Sequence, residues 1–292
     1  MSVVLITGCS SGIGLESAIA FAKNGDTVFA SMRDPGKAET LQKRAAEAGV
    51  EIEVIALDVT DDASVASAIA DIERRHGAID VLVNNAGVGY SGPVETIEIE
   101  RARALMETNF WGPMRTTRVA LAQMRARKSG VIINVSSAAG RVPGIGYNSL
   151  YSASKQALGA LSEGLAMEVG YFGIRVVCIE PGFFSTDIFD KSEWGKVDDS
   201  PYAADNAWLS GFYVGSGTAG GDPSLVADAI VAAAGDPSTP LHVLVGDDAF
   251  QFVDIVAEAG TYEGWLPVAT QIVDAVSGPR PVTPIYPLTP TA

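Results

Sequence analysis

Short runs of aliphatic and β-branched residues alternate along the chain with longer stretches of helical periodicity. Val3-Val4-Leu5-Ile6 predicts a first strand, and residues 15–22 a helix after it. Thr27-Val28-Phe29-Ala30 predicts a second strand, with a helix over 37–48. The segment 52–57 predicts a third, followed by a helix that Asp61 or Asp62 can cap, ending near Arg75. Val81-Leu82-Val83 is the fourth strand, and residues 99–127 read as one long helical stretch. Residues 131–135 form the fifth, 149–171 a helix, 174–179 the sixth and 241–245 the seventh. Alternating strands and helices predict a parallel sheet covered on both sides. The strands are nearly continuous apolar runs, as strands buried on both faces must be. Right-handed crossovers then make an α/β doubly wound sheet, the Rossmann fold, the expected topology in a single domain.

One stretch breaks the pattern. Residues 190–240 mix Trp194, Tyr202, Trp208, Phe212 and Tyr213 with glycines and acids. We read 1–189 as the dinucleotide-binding and catalytic core, 190–240 as an insertion that covers a substrate pocket, and 241–292 as the last strand and tail. The later part of the insertion, 225–234, can form one more helix, and 250–259 another. Residues 279–290 hold too many prolines for regular structure.

Composition narrows the function. Thirty-five acidic and 20 basic residues leave a net charge of -15. No basic footprint exists for nucleic acid or for an anionic membrane. A bound phosphate must therefore be held by backbone N–H groups and a few local cations. Cys9 and Cys178 fall in a glycine-rich turn and a strand, so a disulfide framework is not expected. With His76 and His242 the only histidines and no ligand spacing, no metal site is expected, and both histidines read as structural. No apolar stretch reaches the roughly 20 residues of a membrane span, and no signal peptide is evident, so a cytoplasmic protein is expected.

Two segments carry chemistry. Thr7-Gly8-Cys9-Ser10-Ser11-Gly12-Ile13-Gly14 follows the first strand and opens a helix. Glycines let the backbone approach a pyrophosphate, and the helix N-terminus offers free N–H groups and a positive dipole end. At the end of the second strand an acidic residue would accept a ribose 2′-hydroxyl; the chain has Ser31-Met32-Arg33 instead. Arg33 can pair with a 2′-phosphate, with Ser11 donating to it, so NADP(H) is favoured over NAD(H). Asp34 follows directly and leaves a displaced acidic residue open. Tyr151-Ser152-Ala153-Ser154-Lys155 puts Tyr151 and Lys155 on one helix face. A neighbouring ammonium favours the phenolate and brings the tyrosine towards acid–base use.

With these motifs the chain resembles the short-chain dehydrogenase/reductases from about Val3 to Ile188. Thr7–Gly14 is similar to that family's glycine turn, Asn84-Asn85-Ala86-Gly87 to its motif after strand four, Tyr151 and Lys155 to its catalytic pair, and Pro181-Gly182 with Thr186 to its stretch after strand six. The resemblance implies that Ser137, rather than Ser136, holds the substrate oxygen, the spacing to Gly140 favouring it. It implies that Asn109 helps order a water near Lys155 and that Lys155 also binds the nicotinamide ribose. Asp58, beside Val59, would contact adenine. Asn85, Ala86 and Gly87 would line the adenosine ribose side, and Thr186 and Ile188 would flank the nicotinamide. It further implies a homodimer or homotetramer through the helices around 99–127 and 149–171. The glycine turn and residues 30–34 look most like the steroid and retinol dehydrogenase branch. The expected reaction is hydride exchange between a ketone or aldehyde and its alcohol, on a small-molecule substrate of bulky apolar character. Alternatives are a reductase of small or polyketide-like carbonyls, or a non-catalytic NADP(H)-binding sensor.

Overall fold

A computed structural model describes residues 1–188, 193–194, 197 and 200–281. Most of 190–199, and the proline-rich residues from 282 onward, lie outside the described residues. Seven parallel strands form the central sheet: β1 (Val3–Thr7), β2 (Thr27–Met32), β3 (Glu53–Ala56), β4 (Val81–Asn84), β5 (Gly130–Val135), β6 (Ile174–Pro181) and β7 (His242–Val245). Their spatial order is β3-β2-β1-β4-β5-β6-β7. The chain runs outward from β1 to β3, then crosses to β4 on the other side of β1. That reversal opens a crevice at the carboxyl ends of the strands, where such sheets bind ligands.

Successive strand residues feed opposite faces. Val4 and Ile6 pack with α1 (Gly12–Lys23), α2 (Glu39–Ala48) and α8 (Ser224–Gly235). Leu5 packs with α3 (Asp62–His76), α5 (Gly112–Arg127) and α6 (Ser149–Gly170). The apolar runs of the sequence are thus shared between two cores, which is why they show no alternation.

Residues 99–127 are not one uniform helix. α4 (Ile99–Met106) passes into α5 through a π-turn, Glu107–Trp111, that widens the backbone by one residue. Pro113 follows directly on the π-turn and, lacking an N–H, gives no bond back to it. The stretch after β6 is more regular than expected. It contains α7 (Ala203–Thr218) and α8, and only α7 reaches the crevice; α8 packs against α1 beneath the sheet. After β7 come α9 (Asp247–Ala259) and α10 (Tyr262–Ser277). Trp208, Leu209, Phe212, Tyr213 and Val273 make a third core between α7 and α10. Among the described residues no helix is long and apolar enough to cross a membrane.

Candidate active site

A cleft of about 570 Å³ runs across the carboxyl ends of the strands, lined by residues that follow β1, β2, β3, β4, β5 and β6. One arm begins at the glycine turn. Gly8 has φ 75° and Gly12 φ 57°, left-handed values that favour glycine. A Cβ on Gly8 would stand 2.8 Å from Ala86 Cα. Ser10, Ser11, Gly12 and Ile13 line the cleft at the start of α1. Gly14 does not; a Cβ there would meet Asn85 Nδ2 and the Gly8 carbonyl oxygen, both at 2.4 Å, so this glycine lets α1 close onto the loop. Asn85 lines the cleft and also braces it, since Nδ2 donates to the carbonyls of Thr7 at 2.9 Å and Gly8 at 3.1 Å. The Asn85 and Ala86 N–H groups both donate to Thr7 Oγ1 at 3.0 Å. Neighbouring β4 is tied in by Asn84, whose Nδ2 donates to Asn134 Oδ1 at 2.9 Å, while Asn134 Nδ2 donates to Ser162 Oγ at 2.8 Å.

At the far end of this arm lie Arg33, Lys37, Asp58 and Val59. Asp34, the open acidic candidate, accepts from the Gly36 N–H at 2.9 Å, caps a short turn and is not among the residues that line the cleft. Lys37 is a second cation here, read in the sequence only as the start of a helix. Asp58 Oδ1 accepts from the N–H and hydroxyl of Thr60 at 2.9 and 2.8 Å, so it shapes its own turn while lining the cleft.

The middle of the cleft holds the tyrosine–lysine pair. Tyr151 and Lys155 project from the first turns of α6. Ser137 Oγ accepts from the Ala139 N–H at 3.1 Å and lies near enough to the Tyr151 phenol to pull it down, whereas Ser136 Oγ donates to the Lys155 carbonyl at 3.0 Å and is buried. The two candidate serines are thereby separated: Ser137 faces the tyrosine and Ser136 fastens β5 to α6. Gly140 explains the spacing, because a Cβ there would come within 3.0 Å of the Lys155 backbone. Lys155 is 4% exposed; its Nζ donates to the Val135 carbonyl at 2.9 Å and stands 5.7 Å from the Tyr151 ring centre. Burial lowers Lys155 to about 8. Burial also pushes the Tyr151 phenol above its ordinary value, against a smaller pull from Ser137. Burial thus acts on the phenol against the lowering that a neighbouring ammonium is expected to bring. The same desolvation raises the phenol and weakens the cation meant to lower it.

Asn109 sits behind the cleft on the π-turn and is fully buried. Its Oδ1 accepts from the Val88 N–H at 2.9 Å; its Nδ2 donates to the Val88 carbonyl at 2.9 Å and to Ser154 Oγ at 3.0 Å. It thus joins the loop after β4 to α6. After β6, Pro181, Gly182, Thr186 and Ile188 line the cleft. Asp248, which sequence reasoning missed, accepts from the Phe183 N–H at 2.7 Å, and a Cβ on Gly182 would lie 2.2 Å from its carboxylate. The other arm of the cleft is aromatic: Phe183 packs edge-on against Phe212 at 5.6 Å and Phe252 at 6.3 Å, with Ile145 and Tyr213 beside them.

His242 has partners that sequence spacing conceals. Its Nδ1 lies 3.0 Å from buried Glu180 and its Nε2 3.0 Å from Glu163. Cys178 Sγ is 3.8 Å from the same Glu180 oxygen. Burial pushes the Cys178 thiol up to about 12 and raises Cys9 further, so neither offers a thiolate.

Comparison with known proteins agrees with this geometry. Residues 2–196 match the family described as short chain dehydrogenase. Retinol dehydrogenase 8 from Homo sapiens is 43% identical over 192 residues, 64% of this chain and 60% of that protein, so the match spans under two thirds of that relative. The crystal structure of a short-chain dehydrogenase from Streptomyces avermitilis is 37% identical, with a TM-score of 0.79 over 92% of this chain and 97% of that one. A metagenomic short-chain oxidoreductase in complex with NADP is 30% identical, with a TM-score of 0.66 over 84% and 96%.

Proposed function

The chain belongs to the short-chain dehydrogenase family, near its retinol and steroid dehydrogenase branch, and from that premise we propose that it is an NADP(H)-dependent reductase or dehydrogenase of bulky apolar carbonyls and alcohols. The observation that carries this reading is the cleft itself. Its glycine-loop arm and its aromatic arm meet at Ser137, Tyr151 and Lys155.

The first arm fits a dinucleotide. Gly8 and Gly14 let the loop and α1 close tightly on their neighbours, which leaves Ser10, Ser11, Gly12 and Ile13 at the N-terminus of α1 lining this arm. Arg33 and Lys37 at the far end favour a 2′-phosphate, and Asp34 does not line the cleft. Asp58 and Val59 stand where adenine would lie; Asn85, Ala86 and Gly87 form the adenosine ribose side, and Pro181, Gly182, Thr186 and Ile188 the nicotinamide side.

When bound, the nicotinamide supplies or accepts the hydride at the carbonyl carbon. The protein's part is to hold the oxygen and move one proton. Ser137 and Tyr151 hydrogen-bond the substrate oxygen, and in reduction the raised phenol remains protonated and gives up its proton as negative charge develops. Lys155 stands against the tyrosine ring, would hold the nicotinamide ribose, and as a cation supports the phenolate left behind. Asn109 holds the Val88 loop and α6 in register, which fixes Lys155 against Gly87. The described side chains of the aromatic arm (Val142, Ile145, Phe183, Phe212, Tyr213 and Phe252) are uncharged and favour an apolar substrate. Among the described residues of 190–240, α7 is the part that lines the pocket.

Assembly as a homodimer or homotetramer belongs to the same reading. Trp111 before α5 and Met167 on α6 expose apolar surface. Sedimentation at several concentrations tests it. Oxidation of NADPH and of NADH against a panel of small ketones, quinones, retinals and steroid ketones tests the activity. NADPH turnover with the larger apolar carbonyls is expected. No turnover with any carbonyl, despite cofactor binding, would point to the sensor alternative.

A further inference from the structure

Phe212 and Tyr213 of the aromatic arm come from α7, which lies outside the segment matched by the family. Its position is fixed from two sides. Towards the catalytic helix, the Tyr213 hydroxyl reaches the carbonyls of Ile145 at 3.3 Å and Gly146 at 3.4 Å. The next residue, Tyr147, holds φ 63° without being glycine, a left-handed conformation that surrounding bonds must enforce. Its carbonyl accepts from the Gly92 N–H at 2.6 Å and Ser91 Oγ at 3.1 Å, and its ring stacks edge-on against Tyr202 at 6.3 Å. Four residues later comes Tyr151.

The second attachment comes from the segment after α10. Arg280 donates from Nε and Nη2 to the two oxygens of Asp205, at 2.7 and 2.8 Å, in a forked pair. Asp205 is only 7% exposed. The Arg280 guanidinium also lies 5.2 Å over the Trp208 ring, and Trp208 Nε1 donates to the Gly278 carbonyl at 2.8 Å. Asp205, Trp208 and Phe212 are spaced three and four apart on α7 and share a face. A fork allows less rotation than a single bond. Pinning Asp205 and Trp208 therefore sets the rotation of α7, and with it the placement of Phe212 and Tyr213 in the cleft wall. The close approach of the two helices has its own cause: Cβ atoms on Gly211 and Gly215 would meet Ser277 at 3.0 Å and Val276 at 3.1 Å.

We propose that Arg280 is a positioning residue for substrate specificity, a latch that holds α7 so that its aromatic wall fits a flat, uncharged ring system. Its substrate side rests on the oxidoreductase reading above; the latch itself does not. The Arg280→Ala and Arg280→Lys variants of the full chain test it, with Asp205→Asn as the partner change. Two readouts are needed. In the first, KM and kcat are measured with NADPH for a fused two-ring ketone and for a small ketone such as butanone. Arg280→Ala is expected to raise KM about tenfold for the ring ketone, leaving butanone and the NADPH KM within about twofold, with Arg280→Lys between the two. In the second, amide hydrogen exchange is followed at residues 203–218, where Arg280→Ala and Asp205→Asn should both speed exchange about tenfold while β1 and α1 stay protected. Equal changes for both ketones would overturn the specificity role, and unaltered exchange in α7 would overturn the latch. If the unmodified protein reduces no carbonyl, the oxidoreductase reading and the specificity role fail together, and exchange alone decides the latch.

Discussion

Replacing Asn109 with alanine should cost both stability and turnover, by amounts the structure lets one work out. Three hydrogen bonds go at once: the Val88 N–H to Oδ1, and Nδ2 to the Val88 carbonyl and to Ser154 Oγ. Ser154 retains its bond to the Tyr151 carbonyl at 2.7 Å, so its share is small. The two Val88 groups lose these partners, and an orphaned buried polar group costs about 1–3 kcal/mol. Val88 lines the cleft and is part-exposed, so water recovers some of this. A sum of about 2–4 kcal/mol follows, and for a domain this long it lowers Tm by about 4–8 °C. Turnover should fall by more than the folded fraction explains, because the Val88 loop adjoins Gly87, where an added Cβ would lie 3.6 Å from Lys155 Nζ. Scanning calorimetry and steady-state kinetics on the same preparation separate the two effects. A Tm within about 1 °C of the parent would refute the reasoning, since it would mean that none of the three bonds carries weight.

The remaining predictions concern the cofactor, the proton and the core. Arg33→Ala should raise the NADPH KM about 10- to 100-fold, the loss of a charge-assisted pair, and leave the NADH KM unchanged; equal effects on both cofactors would remove the 2′-phosphate argument. The rate of carbonyl reduction should fall as pH rises through about 8: Lys155, lowered to about 8, is a cation below that value and neutral above it, while burial holds the Tyr151 phenol above its ordinary value. A rate flat to pH 10 would show that the lysine charge is not needed. Asn134→Ala should destabilise the fold by about 1–3 kcal/mol in urea unfolding, because Asn84 and Ser162 each lose a buried partner; an unchanged midpoint would show that this network is replaceable.

Seven strands and most helices could be located from periodicity because the five inner strands are buried on both faces, which demands an unbroken apolar run, and the half-exposed edge strands β3 and β7 keep short apolar runs of their own. The glycine turn and the Tyr151–Lys155 pair were equally plain, since both depend on spacing along one element. What the sequence concealed depends on distant parts of the chain meeting. The π-turn at Asn109 interrupts a helical pattern whose apolar positions continue across it. α7 looked irregular for its glycines, yet Gly211 and Gly215 are where α10 comes closest. α10 was missed, with Pro267 inside it. Lys37, Asp248 and the partners of His242 reach their places only through tertiary contacts, 62 residues of chain separating His242 from Glu180. Spacing shows the cation beside Tyr151 but not the burial that acts on both groups, which only the packing of the fold supplies.

The central claim is that Tyr151 gives the proton while the glycine-loop arm holds the cofactor independently of it. Tyr151→Phe removes one hydroxyl from a cleft otherwise unchanged, so NADPH affinity and the rate of carbonyl reduction should be measured side by side on parent and variant. The account predicts NADPH binding within about threefold of the parent and a rate lower by about 10²–10⁴, the usual contribution of a general acid. A variant that binds NADPH and reduces the carbonyl at the parent rate would contradict it.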